Sequence, residues 1–303
     1  MKILVTGATG FVGKVLARKL VSLGHKVSVL TRDIESAQKR LPLLCEFHKW
    51  EPELYPPSSQ AFEHVDAVIH LAGENIADGR WTKKRKNSIK SSRVLSTRNL
   101  VSTLASMQNP PKIFISSSAV GFYGKNKPVE LYEDLDSGKD FLSNVCKEWE
   151  QEAFKAKDYN IRTVALRIGI VLGYEGGAMK KMLPPFWAGV GGNLGDGNQW
   201  MSWIHIKDLV GMIIHCVENN SIQGVYNATS PEPVTNKDFT KCLAKVLKRP
   251  ALIPVPKLAL KIILGEMSDL LLGSLKVLSR KIVESGYKFK FPDLESALND
   301  ICK

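Results

Sequence analysis

The chain begins with a short apolar run, Lys2 to Val5, followed by Thr6-Gly7-Ala8-Thr9-Gly10-Phe11-Val12-Gly13. Apolar residues then recur at Val12, Leu16, Leu20 and Leu23, and a turn of 3.6 residues places all four on one face of a helix. Gly24 follows the last of them and suits the left-handed position that closes a helix. Lys26 to Leu30 reads as a second buried strand, so the opening residues predict a βαβ unit. Similar strand patterns return at Asp66 to Gly73, at Lys112 to Gly124 and at Arg162 to Gly173. Trp203 to Val210 leads into an apolar helix, and a further helix is expected around Thr235 to Leu247, after a turn marked by Pro231 and Pro233. Pro250, Pro254 and Pro256 punctuate an extended stretch before helices expected across Leu258 to Leu278. Strands alternating with helices predict an α/β fold with a parallel sheet.

The glycines of the first turn have separate tasks. Gly7 permits the tight turn, Gly10 lets the backbone approach a pyrophosphate, and Gly13 allows helix and strand to pack closely. The unpaired N–H groups at the helix start supply an anion site. Strand, turn and helix fall where that mechanism needs them, which predicts dinucleotide binding. The end of the second strand selects the cofactor. It carries Thr31-Arg32 before Asp33. A guanidinium grips a 2′-phosphate in bidentate fashion and the threonine hydroxyl adds a donor, so NADP is expected. The competing reading leaves Arg32 in solvent and gives the ribose hydroxyls to Asp33.

Composition narrows the function classes. The 303 residues are 44% hydrophobic and 24% charged, which describes a globular chain with no need of disulfide or metal staples. The five cysteines are scattered, with neither a Cys-x-x-Cys pair nor zinc spacing, so a reducing compartment and no metal are expected. The apolar stretch from Leu258 to Leu278 is interrupted by Lys261, Glu266 and Asp269, and no membrane span is expected. The strand pattern starts at once, so no leader is expected and the predicted address is cytoplasmic. The net charge of +12 favours anionic partners, and the densest basic patch is Arg80, Lys83, Lys84, Arg85, Lys86, Lys90 and Arg93. Only Trp81 interleaves with it, so nucleic acid is not an expected partner.

Four further stretches carry a resemblance: Leu71-Ala-Gly-Glu-Asn-Ile76, Gly176-Gly-Ala-Met179, Trp203-Ile-His-Ile206, and the tail Gly286-Tyr-x-Phe-x-Phe-Pro-x-Leu-x-x-Ala-Leu298. With the glycine turn, the chain resembles the extended short-chain dehydrogenase/reductase superfamily, and within it the atypical branch of NAD(P)-dependent epimerase/dehydratase-like proteins labelled epimerase family or cell-division-inhibitor-like. The resemblance implies a Rossmann-type doubly wound parallel sheet with a smaller, discontinuous substrate domain. The nucleotide-binding part would span 1–172 plus 203–228, and the cap 173–202 plus 229–303. It also implies a cofactor site with Thr9, Gly10, Phe11 and Val12 at the pyrophosphate, Thr31 and Arg32 at the 2′-phosphate, and Leu71, Ala72 and Gly73 along the ribose. Arg93 would touch the cofactor and Val171 would lie near the nicotinamide. A homodimer is an expectation by analogy alone.

In the superfamily a Ser or Thr, a Tyr and a Lys four residues beyond the Tyr act together. The phenol exchanges a proton with the substrate oxygen, the lysine lowers its pKa, and the serine orients the carbonyl. Ser118 matches the serine and Lys147 the lysine, but Ser143 stands where the tyrosine belongs. Losing a positioned acid or base typically costs about 10² to 10⁴ in rate. Tyr123 is an alternative proton donor, with a packed turn aromatic as the competing reading. Cys146 reads as a helix core residue and His205 as a structural hydrogen-bonding residue. Two functions follow. One is an NADP-dependent oxidoreductase or epimerase acting on a carbonyl, alcohol or sugar-nucleotide substrate. The other is a catalytically weak NADP(H)-binding regulatory or interaction protein.

Overall fold

A computed structural model describes all 303 residues. Seven strands form the central sheet: β1 (Lys2–Thr6), β2 (Lys26–Thr31), β3 (Cys45–Lys49), β4 (Ala67–His70), β5 (Ile113–Ala119), β6 (Arg162–Ile168) and β7 (Gly224–Ala228). They pair in parallel in the order β3-β2-β1-β4-β5-β6-β7, which reverses direction at β1 as in a doubly wound sheet. Alternation along each strand feeds two cores. Ile3 and Val5 pack with Leu16 and Leu20 of α1 (Phe11–Ser22) and with apolar residues of the helix Ile206–Glu218. Leu4, Val68 and Phe114 point the other way, toward Leu100 and Leu104 of α2 (Lys83–Ala105) and Ala153 of α3 (Phe141–Phe154). Such two-sided burial is why these strands read as continuous apolar runs.

A further core joins Met179, Leu183 and Phe186 of α4 (Met179–Trp187) to Trp203, Phe239, Leu243, Leu294 and Leu298. Helix α4 was not expected, because Pro184 and Pro185 sit within it. The run from Arg162 to Gly173 is also not one strand. It breaks at Gly169, where a Cβ would lie 3.0 Å from Thr229 Cγ2, and Ile170–Leu172 leaves the main sheet to pair with Trp203–His205. Across Leu258 to Leu278 the expected helices are short, Lys257–Leu264 and Asp269–Leu272, because Gly265 turns the chain at φ +59° and Lys276–Val277 pairs with Glu130–Leu131. No helix is long and apolar enough to cross a membrane, and no group of three metal-ligating side chains is present.

Candidate active site

The turn after β1 has the shape of an anion cradle. Gly7 adopts φ +69°, and a Cβ there would lie 2.7 Å from the carbonyl carbon of Leu71, so the turn presses against the end of β4. A Cβ on Gly13 would come within 2.6 Å of Ala8 Cα, whereas one on Gly10 would meet only Gly7 O, at 3.2 Å. The outer side of Gly10 is therefore open. Gly10 is also the N-cap of α1, no side chain caps that end, and the first turn holds no acidic residue. The amides of Phe11, Val12 and Gly13 make no hydrogen bond within the protein. An uncompensated helix N-terminus with open glycine backbone fits a pyrophosphate. Thr9 lies in this turn, and the phenyl ring of Phe11 turns away into a bay formed by Gly173, Gly176 and Gly177.

The neighbouring strand ends complete the cradle. Thr6 Oγ1 bonds His70 Nδ1 at 2.7 Å and accepts the amide of Ala72 at 3.2 Å, which fixes Leu71, Ala72 and Gly73 beside the turn. Burial pushes His70 down to about 3, so it is a neutral spacer. At the end of β2, Arg32 is exposed and has no acidic partner. Asp33 accepts the amide of Ser36 at 3.0 Å as the N-cap of the helix Ile34–Arg40, so one oxygen of its carboxylate is committed to the cap. Arg93 lies against Gly73, but its guanidinium donates to Glu74 O at 2.9 Å and Ile89 O at 3.0 Å, and burial lowers its pKa. Val171 is half-buried in the short ladder beside the same cleft.

The two residues expected to do chemistry are not brought together. Ser118 is buried, and its hydroxyl donates to Glu150 Oε1 at 2.6 Å. Lys147 is exposed on α3 and has no ion-pair partner. The residues of that helix facing the β5 end are Leu142 and Cys146, which flank Gly121, and, one turn further, Glu150. The expected pairing of Ser143 with Lys147 is thus one residue out of register. Ser143 is instead spent at the helix start, donating to Asp140 O at 2.9 Å. Cys146 is the buried core residue it was expected to be, and burial lifts its thiol to about 12.

Glu150 belongs to a polar row that motif matching missed. Ser118, Arg167 and Asn227 stand side by side on β5, β6 and β7. Arg167 binds both carboxylate oxygens of Glu150, at 2.9 and 3.0 Å, stacks over Phe122 at 3.3 Å, and donates to Tyr123 Oη at 3.0 Å. Burial opposes its charge, but Glu150 outweighs that cost and the guanidinium pKa is raised. Tyr123 donates to Asn227 Oδ1 at 2.7 Å, and burial lifts its phenol to about 12. It is a packed aromatic with its hydroxyl in use. The available signal was a lone arginine inside the apolar run Val164-Ala-Leu-Arg-Ile, which requires a buried acceptor.

His205 caps the helix Ile206–Glu218 through Nδ1, stacks on Phe291 at 4.0 Å, and is pushed down to about 4 by burial. In the basic patch, Arg80 donates to the carbonyls of Ile262 and Ile263, Arg85 pairs with Glu74, Lys86 with Glu266, and Lys90 with Glu148. These four are tied to neighbouring segments, while Lys83 and Lys84 of the same patch are exposed without an acidic partner.

Comparison with known proteins agrees with this geometry. The profile of the NAD dependent epimerase/dehydratase family matches residues 3–229, and that of a domain of unknown function, DUF1731, matches 255–301. The chain is 41% identical to the epimerase family protein YfhF of Bacillus subtilis, over 99% of this chain and 98% of the relative. It is 38% identical to the chloroplastic SDR39U1 homolog of Arabidopsis thaliana, over 99% and 86%. The crystal structure of the human epimerase family protein SDR39U1 with NADPH superposes with a TM-score of 0.89 at 34% identity, covering 99% of both chains. With its parallel sheet, its uncapped glycine turn and relatives matching along its whole length, the chain belongs to the NAD dependent epimerase/dehydratase family.

Proposed function

We propose that the protein binds NADP(H) and exchanges hydride with a carbonyl or alcohol substrate without an acid drawn from a tyrosine and lysine pair. The observation that carries this reading is the contrast between Arg32, exposed without an acidic partner, and Asp33, committed to capping a helix. The amides of Phe11, Val12 and Gly13 would hold the pyrophosphate. Arg32 would hold the 2′-phosphate, with Thr31 shaping its loop through the hydroxyl it donates to Asp33 O at 3.1 Å, Leu71 to Gly73 would hold the ribose, and Val171 would border the nicotinamide. Arg93 would act by keeping the Gly73 backbone in place. The human relative's crystal structure with NADPH supports the same assignment. When bound, the nicotinamide supplies or accepts the hydride.

The chain's own part is to bind, orient and exclude water. Ser118 keeps its proton on Glu150 and steadies the end of β5, and Lys147 has no role. The proton then comes from the substrate or from water. Calorimetry on nucleotide-free protein tests the cofactor. NADPH should bind well above NADH, and Arg32→Ala should cost about 10- to 100-fold in NADPH affinity with little change for NADH. Equal affinity for the two cofactors would sink the assignment.

The apolar face of Leu142 and Cys146 favours a second reading, a nucleotide-responsive protein without efficient catalysis. NADPH oxidation against a panel of aldehydes and ketones separates the two. Turnover of no panel member by NADPH-binding protein would select the second.

A further inference from the structure

We infer that the substrate is an uncharged, largely apolar carbonyl compound and not a nucleoside-diphosphate sugar; this rests on the NADP(H) reading above. Ligands of an open α/β sheet bind beyond the carboxyl ends of its strands. In this protein that edge is lined by half-buried apolar side chains. Ala119 and Ile168 are register neighbours on β5 and β6, Val120 follows Ala119, and Leu142 packs at Gly121. Ile170 and Val171 follow in the adjoining ladder, Ile170 packed toward the core of Trp203 and Phe239 and Val171 toward that of Ile3 and Val5. None of the six can hydrogen-bond through its side chain. These side chains pack inward on one side and leave their other side to the cleft, where cofactor contact at Val171 would cover part and an apolar ligand the remainder.

A diphosphate requires cations or free helix amides. The cations that join the loops leaving this edge to the opposite wall are already used. Arg80 is bound to the carbonyls of Ile262 and Ile263, Lys86 to Glu266, Lys125 to Asp269, and Lys181 to Ala77 O at 2.6 Å, with Asp78 3.6 Å away. Drawing any of them to a phosphate would break a contact that closes the molecule. Arg93 is likewise held by two carbonyls. The exposed wall is apolar and the cations that bridge its loops are held in those bridges, so a greasy ketone or aldehyde fits this wall better than a sugar diphosphate.

The test uses the full chain loaded with NADP⁺, so that ketones bind without reacting. An initial titration establishes cofactor binding; failure there falls on the NADP(H) reading and takes this inference with it. Methyl ketones from 2-butanone to 2-decanone and, separately, UDP-glucose are then titrated by calorimetry. Ketone affinity should rise up to about fourfold per added methylene, and UDP-glucose should give no saturable heat. Leu142→Asn should weaken 2-decanone about tenfold while leaving NADP⁺ affinity as in wild type. The inference is overturned by UDP-glucose binding more tightly than 2-decanone. It is equally overturned by ketones that do not bind or gain nothing with length, or by a Leu142→Asn protein that binds 2-decanone unchanged.

Discussion

A guanidinium in a protein interior persists only where its surroundings are built for it, and Arg167 is 3% exposed. Its bidentate pair with Glu150 is strong because both groups are dry and each guanidinium nitrogen has an acceptor. Removing one member leaves the other charged and buried. Arg167→Ala should therefore lower stability by about 3–5 kcal/mol, whereas the double variant Arg167→Met with Glu150→Leu should recover much of the loss. Urea denaturation of the three proteins checks this, and a double variant no better than the single one would argue against the pair. The buried histidines make a second residue-scale prediction. His205 and His70 are held below their ordinary 6.5, at about 4 and about 3, because burial disfavours their charged forms. The unfolded chain thus binds protons first as pH falls. Their contribution is complete above about pH 6.5 and is lost progressively toward pH 4 and below. The urea midpoint should fall across that window, and His205→Gln should flatten the fall.

At the scale of elements, helix α3 decides which side chains reach the site. A helix shows successive faces every 100°, so a one-residue error in reading exchanges a buried position for an exposed one. The face turned to β5 carries Leu142, Cys146 and Glu150, spaced by four, and Lys147 falls beside it in solvent. Lys147→Ala should accordingly change neither NADPH affinity nor NADPH turnover by more than about twofold, as expected for a surface substitution. A loss of tenfold or more would restore the lysine to the site. The first turn of the chain was legible in full by comparison. Its constraints are local: one turn, one helix start, one strand end. The register of α3 was not legible, because the helix contains no tyrosine to anchor it and the anchor that exists, Glu150 on Arg167, joins the helix to the following strand across 17 residues, beyond the reach of helical periodicity.

Across the whole molecule, the tail is locked by one buried carboxylate. Asp208 accepts the amides of Lys290 at 2.7 Å and Phe291 at 2.9 Å, and the Tyr287 hydroxyl at 3.2 Å. Tyr287 also packs in an edge contact against Phe289, and Phe291 lies on His205. This explains why the motif around Trp203 to Asp208 and the aromatic tail occur together: one supplies the acceptor and the other the donors. Asp208→Ala should free both amides, raise hydrogen exchange from Tyr287 to the C-terminal helix Leu294–Ile301, and lower stability by about 2–4 kcal/mol. Unchanged protection in the tail would refute the lock.

What the sequence alone determined were the features written into short stretches of chain. These are the α/β alternation, the glycine turn that presents bare amides, and the arginine at the end of the second strand. Each depends on periodicity or on backbone freedom at a few adjacent residues, which local composition specifies. Only the tertiary structure decided which hydroxyl is free, which lysine faces solvent and which cations are already paired. Those properties belong to contacts between residues distant in sequence. Ser118 meets Glu150 and Arg80 meets Ile263 only once the sheet, its helices and the C-terminal segment have packed on one another. Burial then sets the protonation of Tyr123, Cys146 and His205, and no local pattern encodes burial of that kind.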